Sequence, residues 1–256
     1  MAPAGKIDSL QRPHRCKVRA IMGVADIRRE YSQGSLQRTD LDANPVAQFQ
    51  KWFAQAAGGS SGGRWRKIGI ALFKLWHAVL GHAPADPTAM MLATVDPAGR
   101  PSARTVLLKG VDERGFVFYT NYDSRKGREL ADNPHAALTF YWADSERQVC
   151  VGGTVGKLSR EESEAYFKSR PRGSRLAAWA SNQYDVAADR AALETKWNEA
   201  AARFPGDDVP LPPNWGGLVL KPEWIEFWQG RPSRLHDRFR YTRQSDGSWK
   251  LDRIAP

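Results

Sequence analysis

Three side chains with cationic or titratable heads recur at alternate positions near the end of the chain, at Arg234, His236 and Arg238. If residues 234–238 form a β-strand, these three share one face, because alternate side chains project from the same side. Guanidinium forks bind phosphates and ring faces, and an imidazole between them can exchange a proton near neutral pH. With Trp228 close by, the pattern indicates a site for an anionic, planar ligand. A solvated edge strand with charged side chains is the open alternative.

Further groups of this kind lie upstream. Arg104 and Lys109 flank an apolar run, and their odd separation predicts opposite faces of a strand and therefore different ligands. Tyr166 and Arg170 are four residues apart, which places them on one face of a helix. Hydroxyls and cations also meet at the end of a strand pattern, at Tyr119, Thr120, Arg125 and Lys126. Taken singly, Arg104 and Lys109 would be exposed cations beside a core strand, and Arg125 and Lys126 would belong to an ordinary solvated turn.

The elements that would position these residues are mostly short strands. From Met90 onward, turn signals at Asp96–Gly99, Asp112–Gly115 and Asp246–Gly247 separate apolar runs. This order predicts a mainly β core, and the interrupting helices make the fold α+β.

Three helices are predicted within the domain pattern. Asn44 and Pro45 supply the cap and first turn of one helix, before an apolar stripe. Ser159 and Glu162 form a capping box for a second helix, which Pro171 ends. Apolar residues at helical spacing from Val186 to Phe204 mark the third.

Composition narrows the function classes. A chain of 256 residues with 41% hydrophobic content predicts one domain with a substantial core. Cys16 and Cys150 have no disulfide or metal-ligand spacing, so we expect no metal site and a reducing, cytoplasmic location. No apolar run suggests a secretory signal or a spanning helix. The net charge of +10 is scattered without a nucleic-acid-binding motif, which favours small anionic ligands and no nucleic-acid partner.

Two segments fall outside the domain pattern. Residues 1–24 are basic and aperiodic, so we expect a disordered extension before a domain at 25–256, with Met22 as an alternative start. Residues 58–82 combine a Gly/Ser linker with a basic amphipathic helix. That helix could contact a membrane surface or a protein partner; packing on its own domain is the favoured alternative.

Short motifs from about residue 25 to the last residue follow one another in a specific order. They are Arg28–Tyr31, Asp86–Met90, Arg104–Lys109, Phe118–Asn121, Ser124–Lys126, Glu146–Val149, Tyr166–Arg172, Trp228–Gly230, Arg234–Phe239 and Trp249–Pro256. In order and spacing they resemble the pyridoxine (pyridoxamine) 5′-phosphate oxidase family, in which the 58–82 insertion has no counterpart. The resemblance implies an FMN-binding split β-barrel, assembled as a homodimer whose flavin sites straddle the subunit interface.

The resemblance also implies ligands residue by residue. For FMN these are Arg104, Thr105, Val106, Leu107, Leu108, Lys109, Tyr119, Thr120, Arg125, Lys126, Gln148, Gln183, Trp228 and Arg238. For the phosphate of a B6 vitamer they are Lys109, Tyr166, Arg170 and Ser174. Arg234 and His236 would contact the pyridine ring as the catalytic pair, and Arg28 and Tyr31 would belong to a mobile lid.

The implied reaction is FMN-dependent oxidation of pyridoxamine 5′-phosphate and pyridoxine 5′-phosphate to pyridoxal 5′-phosphate, with dioxygen reduced to hydrogen peroxide. Two positions depart from the family pattern: Gly173 stands where an acidic residue is common, and Tyr184 replaces a small hydroxyl residue. Two alternatives stay open. One is a related flavin oxidase of another planar substrate, such as a phenazine precursor, and the other is a flavin- or pyridoxal-phosphate-binding protein with little turnover.

Overall fold

The structure is a computed structural model that describes residues 30–58, 86–181 and 183–256. From Tyr31 to Pro256 the chain forms one compact unit. The predicted extension at 1–24, residue Arg28 and all of the 58–82 insertion except Gly58 lie outside the described residues. Within the described ranges, no helix combines the length and apolarity needed to cross a membrane.

The described strands form one nine-stranded antiparallel sheet in which β7 is the central element. The path runs β2-β1-β5-β6-β7-β4-β3, and β8 pairs with both β7 and β9. The first half of β7 pairs with β4 and its second half with β8, so the sheet divides along this strand. The strands are β1 Ala89–Val95, β2 Pro101–Leu107, β3 Gly110–Asp112, β4 Gly115–Asn121, β5 His135–Trp142, β6 Arg147–Lys157, β7 Trp215–Gln229, β8 Asp237–Arg243 and β9 Trp249–Arg253.

Turn chemistry joins these strands as predicted. The β1–β2 turn closes with a hydrogen bond from Gly99 N to Asp96 O, and Gly99 has the positive φ that glycine tolerates. Asp112 and Gly115 pair directly at the β3–β4 turn. Gly247, also at positive φ, lies in the turn between β8 and β9. All three predicted turns are therefore confirmed.

The α-helices within the described ranges are α1 Pro45–Ala56, α2 Arg125–Asp132, α3 Arg160–Ser169, α4 Arg172–Ala180 and α5 Arg190–Arg203. The Asn44 side chain accepts hydrogen bonds at the start of α1, and the Ser159/Glu162 capping box opens α3, as predicted. The third predicted helix begins later than expected, because Asp189 caps it and Val186 is fully exposed. The sequence analysis did not predict α2 or α4.

Two apolar clusters pack the helices against the sheet. The larger one packs α1 against the sheet through rings such as Phe49, which meets Phe116 and Phe140 at centroid distances of 4.8 and 4.9 Å. The smaller cluster lies under α3, α4 and α5 and contains Phe167, Leu176, Ala200, Val209, Leu211 and Trp215. Since Trp215 begins β7, this second cluster fixes the helices to one end of the central strand.

Candidate active site

A cavity of about 440 Å³ opens between the edge of the sheet and helices α2, α3 and α4. This volume lies within the range of small-molecule and cofactor sites. Its wall contains residues predicted for both ligands. They are Thr105, Val106, Leu107, Lys109, Tyr119, Thr120, Lys126, Tyr166, Arg170, Ser174 and Gln183. Lys109 lies just beyond β2, which ends at Leu107 rather than continuing to residue 109 as predicted.

Lys126 supplies one cation to this wall. Ser124 caps α2, and the buried Lys126 ammonium donates hydrogen bonds to Ser124 Oγ at 3.3 Å and Gln183 Oε1 at 2.7 Å. Burial, reinforced by the nearby charge of Arg104, lowers the pKa of Lys126 to about 8. Both acceptors are neutral, so within the described ranges the ammonium has no carboxylate partner, which suits an anionic ligand.

Arg170 supplies a second cation at the end of α3. Its guanidinium carbon lies 4.7 Å from the centre of the Trp215 ring. Burial lowers its pKa, and Nη1 is buried without a hydrogen-bond partner among the described residues. Tyr166 lines the same wall and stacks on Tyr119 with centroids 3.8 Å apart. A buried donor with no acceptor is costly, so the cavity fits an anion that would accept from Arg170.

Arg104 and Arg125 converge on one carboxylate. Arg104, unlike Lys109, does not line the cavity, and its Nη2 lies 3.1 Å from Glu129 Oε2. Arg125 Nε lies 2.7 Å from Glu129 Oε1. Thr94 and Ser102 also donate to Glu129. Burial alone would raise the pKa of Glu129, but these four hydrogen-bonded partners outweigh it and lower the pKa to about 2.

We expect this carboxylate to make stability pH-dependent. The folded-state pKa of Glu129 is depressed, so its stabilising contribution is present above about pH 4.5 and is lost as the pH falls toward 2. From the shift, the contribution amounts to as much as about 3 kcal/mol. Urea unfolding of the wild type and of Glu129→Gln between pH 3 and 6 should give curves that converge at low pH. Curves that stay parallel would contradict the assignment.

A second group of predicted residues lies at the far end of β7. Gln148, Trp228 and Arg238 are direct neighbours across β6, β7 and β8. The Tyr31 ring meets Trp228 edge-on at 5.4 Å and His236 at 5.6 Å. Arg238 is held by Glu226 Oε1, which accepts from Nε and Nη2 at 2.9 and 2.7 Å. This second group presents an aromatic and cationic surface.

The predicted strand at residues 234–238 is wrong. Pro232–Arg234 form a 3-10 turn in which Ser233 and Arg234 have φ of 57° and 61°, and β8 begins only at Asp237. Pro232 fixes the start of this turn, because its φ is already helical and it has no N–H for a sheet. Arg234 is therefore exposed at a turn, and only Arg238 takes its direction from the strand.

The two groups are far apart along one chain. Trp215 of the cavity wall and Trp228 of the second group stand at opposite ends of β7, thirteen residues apart. An extended strand rises by roughly 3.3 Å per residue, which corresponds to roughly 40 Å of strand. Leu108 is buried in the core rather than in the cavity wall. Within one chain, most of the described residues predicted for the site therefore lie in two separate groups.

Sequence reasoning missed several residues that shape these places. Glu129 could have been found from its spacing of four after Arg125 on a helix, had α2 been predicted. Glu226 lies two residues before Trp228 on the same face of β7, and its buried carboxylate also binds Arg240 at 2.9 Å. For Trp215, which lies under Arg170, no local pattern signals a role.

The chain is similar to known proteins along most of its length. Residues 82–204 match the family model described as pyridoxamine 5′-phosphate oxidase, and residues 215–256 match the pyridoxine 5′-phosphate oxidase C-terminal dimerisation region. A pyridoxine/pyridoxamine 5′-phosphate oxidase of Paraburkholderia phymatum is 53% identical over 91% of this chain and 99% of its own length. One from Ralstonia nicotianae is also 53% identical, with the same coverage.

Solved structures show the same fold. PhzG from Burkholderia lata, in complex with tetrahydrophenazine-1-carboxylic acid, superposes with a TM-score of 0.63 at 34% identity, covering 73% of this chain and 92% of that one. An FMN-binding protein of Nostoc punctiforme matches in fold alone, with a TM-score of 0.56 at 23% identity over 77% of this chain and 99% of that one. The fold defines an α+β protein of the split β-barrel class. The chain belongs to the pyridoxine/pyridoxamine 5′-phosphate oxidase family.

Proposed function

We propose that this protein oxidises pyridoxamine 5′-phosphate and pyridoxine 5′-phosphate to pyridoxal 5′-phosphate with FMN as cofactor. The observation that carries the proposal is the buried Nη1 of Arg170, which has no hydrogen-bond partner among the described residues and lies in a wall shared with Lys109, Tyr166 and Ser174. Two cations and two hydroxyls suit a phosphate dianion. The names of the relatives support the choice of a B6 ester.

The second phosphate, that of FMN, would lie against Lys126 and the Arg104–Arg125–Glu129 cluster. This cluster carries one net positive charge. The positive charge of Arg104 contributes to the lowered pKa of Lys126, so the two groups are electrostatically coupled. When bound, FMN supplies the redox chemistry: it accepts two electrons and a proton from the substrate and is reoxidised by dioxygen to give hydrogen peroxide. Oxidation of the amine then consumes one water and releases ammonia with the aldehyde.

His236 has a defined proton position for this reaction. Its Nδ1 accepts a hydrogen bond from Arg231 N at 3.1 Å, so the proton of the neutral ring is on Nε2. Burial, followed by the charges of Arg234 and Arg238, lowers the pKa of His236. A neutral imidazole that donates from Nε2 can hold the phenolate oxygen of the pyridine ring, while Arg234 orients the ring and stabilises charge on it.

The active form we propose is a homodimer in which each site uses both chains. Met91, Leu107 and Tyr141 are 44, 39 and 50% exposed on one face of the sheet. The strand register puts Gln148, Trp228 and Arg238 on that face too, since Tyr141 pairs with Gln148. An exposed apolar face and the matched dimerisation region both support a second copy. That copy would bring its Trp228 group to the cavity.

The proposal is tested by incubating purified protein with FMN, pyridoxamine 5′-phosphate and dioxygen. We expect a yellow protein that forms aldehyde and peroxide in equal amounts. Bound FMN without either product would favour a binding protein. The likeness to PhzG makes a different planar substrate the second candidate; turnover of a reduced phenazine precursor, but not of the B6 esters, would favour that reading.

The affinity for FMN should fall above pH 8. In the cofactor-free protein Lys126 is charged below its pKa of about 8 and neutral above it, so binding an anion at higher pH requires uptake of a proton. The dissociation constant should rise by up to about 10-fold per pH unit above 8. Quenching of FMN fluorescence at pH 7, 8 and 9 measures it. Lys126→Arg, which stays charged, should remove this pH dependence. If the dissociation constant of the variant rises with pH as in the wild type, Lys126 is not the titrating group.

A further inference from the structure

We propose that Glu146 is a positioning residue that holds Tyr31 against the substrate-ring side of the site, an inference that rests on the proposed function. The carboxylate oxygen Oε2 of Glu146 accepts hydrogen bonds from Ser32 N at 2.7 Å and Gln33 N at 2.9 Å. These amides directly follow Tyr31, whose ring contacts His236. One carboxylate therefore fixes the backbone that carries the ring.

The conformation of Glu146 supports a dedicated role. Its φ of 52° lies in the left-handed region, where glycine and asparagine are the usual residues, and its side chain is buried, with 1% exposure. Holding such a residue there costs free energy, and strained residues of this kind concentrate at functional sites. A turn alone would be served better by glycine. The strain therefore indicates that the carboxylate itself is needed at this position.

Gly230 limits Tyr31 from the other side. A Cβ built at Gly230 would lie 2.8 Å from Cβ, Cγ and Cδ1 of Tyr31. Gly230 is not in the left-handed region, so its backbone does not require glycine. The space it leaves is used by the tyrosine. Gly230 N also donates to Glu146 O at 2.8 Å, which joins both features into one unit.

Contacts further along the segment are independent of this unit. Arg231 Nη1 donates to Gly34 O at 3.0 Å, and Asp237 Oδ2 accepts from Leu36 N at 3.0 Å. Loss of the Glu146 carboxylate should therefore release Tyr31 to Gln33 while the chain from Gly34 onward stays attached. An unanchored Tyr31 would weaken substrate binding, because the competent arrangement would then be only one of several that are populated.

The first test is amide hydrogen exchange of the FMN-bound protein without substrate. Glu146→Gln is almost isosteric and should accelerate exchange at Ser32 and Gln33 by about 10-fold, with no change at Leu36. The matched control is Asp40→Asn, because Asp40 Oδ2 likewise accepts a backbone hydrogen bond, from Gln37 N at 2.8 Å, further along the same segment. That variant should leave exchange at Ser32 and Gln33 unchanged. Unaltered exchange in Glu146→Gln would overturn the inference.

The second test is kinetic. Glu146→Gln and Gly230→Ala should each raise the KM for pyridoxamine 5′-phosphate by about 10-fold, with kcat and FMN content nearly unchanged. Gly230→Ala should raise the KM by displacing the Tyr31 ring, while the Glu146 carboxylate stays intact. Faster exchange with an unchanged KM in both variants would overturn the positioning role. Exchange is measured without substrate, so it tests whether Glu146 holds the Tyr31 backbone even if the wild type does not turn over B6 esters. A wild type without such turnover would contradict only the proposed function.

Discussion

Replacing Arg170 with methionine is expected to raise the KM for pyridoxamine 5′-phosphate by a factor of about 10 to 150, because each charge-assisted hydrogen bond to a phosphate contributes roughly 1.5–3 kcal/mol. The Nη1 of Arg170 is buried and has no partner in the described part of the chain, so this donor is available to the ligand. FMN should stay bound, since Arg170 is assigned to the substrate phosphate. Steady-state kinetics with pyridoxamine 5′-phosphate, beside cofactor absorbance, measures both effects.

The phosphate-free substrate sharpens this experiment. Pyridoxamine cannot use the clamp, so the wild type should strongly prefer the phosphorylated form and Arg170→Met should lose most of that preference. Arg175→Met is the matched control, because Arg175 also has a buried nitrogen without a partner among the described residues but donates to Asp207 O outside the cavity. Equal losses of kcat/KM for both substrates in Arg170→Met would contradict the assignment of Arg170 to the phosphate.

Mixed dimers should regain activity that two separate variants lack. Arg234→Ala should reduce turnover at least about 100-fold with FMN still bound, because it removes a charge that acts on the substrate ring. If Arg170 and Arg234 of different chains meet in one site, a dimer of Arg170→Met with Arg234→Ala contains one site with both arginines. Random assembly of equal amounts should then recover about a quarter of the wild-type rate.

The control for this experiment is the double variant carrying both substitutions, mixed with the wild type. Its heterodimers place one substituted arginine in each site, so they contribute no intact site. About a quarter of the wild-type rate then comes from wild-type homodimers alone. This rate should be the same whether or not the two proteins are diluted before they are mixed. Mixed single variants that stay as inactive as either parent would show that each site is built within one chain, against the proposed dimer.

Backbone strain is concentrated near the predicted ligand residues. The non-glycine residues with positive φ in the described part of the chain are Glu146, Tyr184, Ser233 and Arg234. Tyr184, one of the two departures from the family pattern, is exposed and does not pack in the core. Its hydroxyl accepts a hydrogen bond from Arg125 at 3.1 Å. Functional sites commonly hold such strain. Strain of this kind is set by long-range contacts, so sequence patterns did not predict it.

Local chemistry was enough to predict part of the fold. Asn44, Ser159 and the three glycine-containing turns act through neighbours within a few residues, so their roles are readable from spacing. The helices α2 and α4 were missed because each is short and follows directly on a turn or a proline, which masks its period. The strand predicted at 234–238 failed for a related reason: alternation of charges is shared by strands and by exposed turns.

The amino-acid sequence alone determined the residue types of the candidate site and the membership of a family, and it led to the prediction of anionic ligands, because these depend on side-chain chemistry and ordered motifs. Only the tertiary structure decided which residues meet. It put Arg104 and Arg125 on Glu129, left Nη1 of Arg170 without a partner in the part of the chain that the structure describes, and separated Trp215 from Trp228 by the length of β7. The physical reason is that such contacts join residues distant along the chain, and their distances follow from sheet register and packing, which no local pattern encodes.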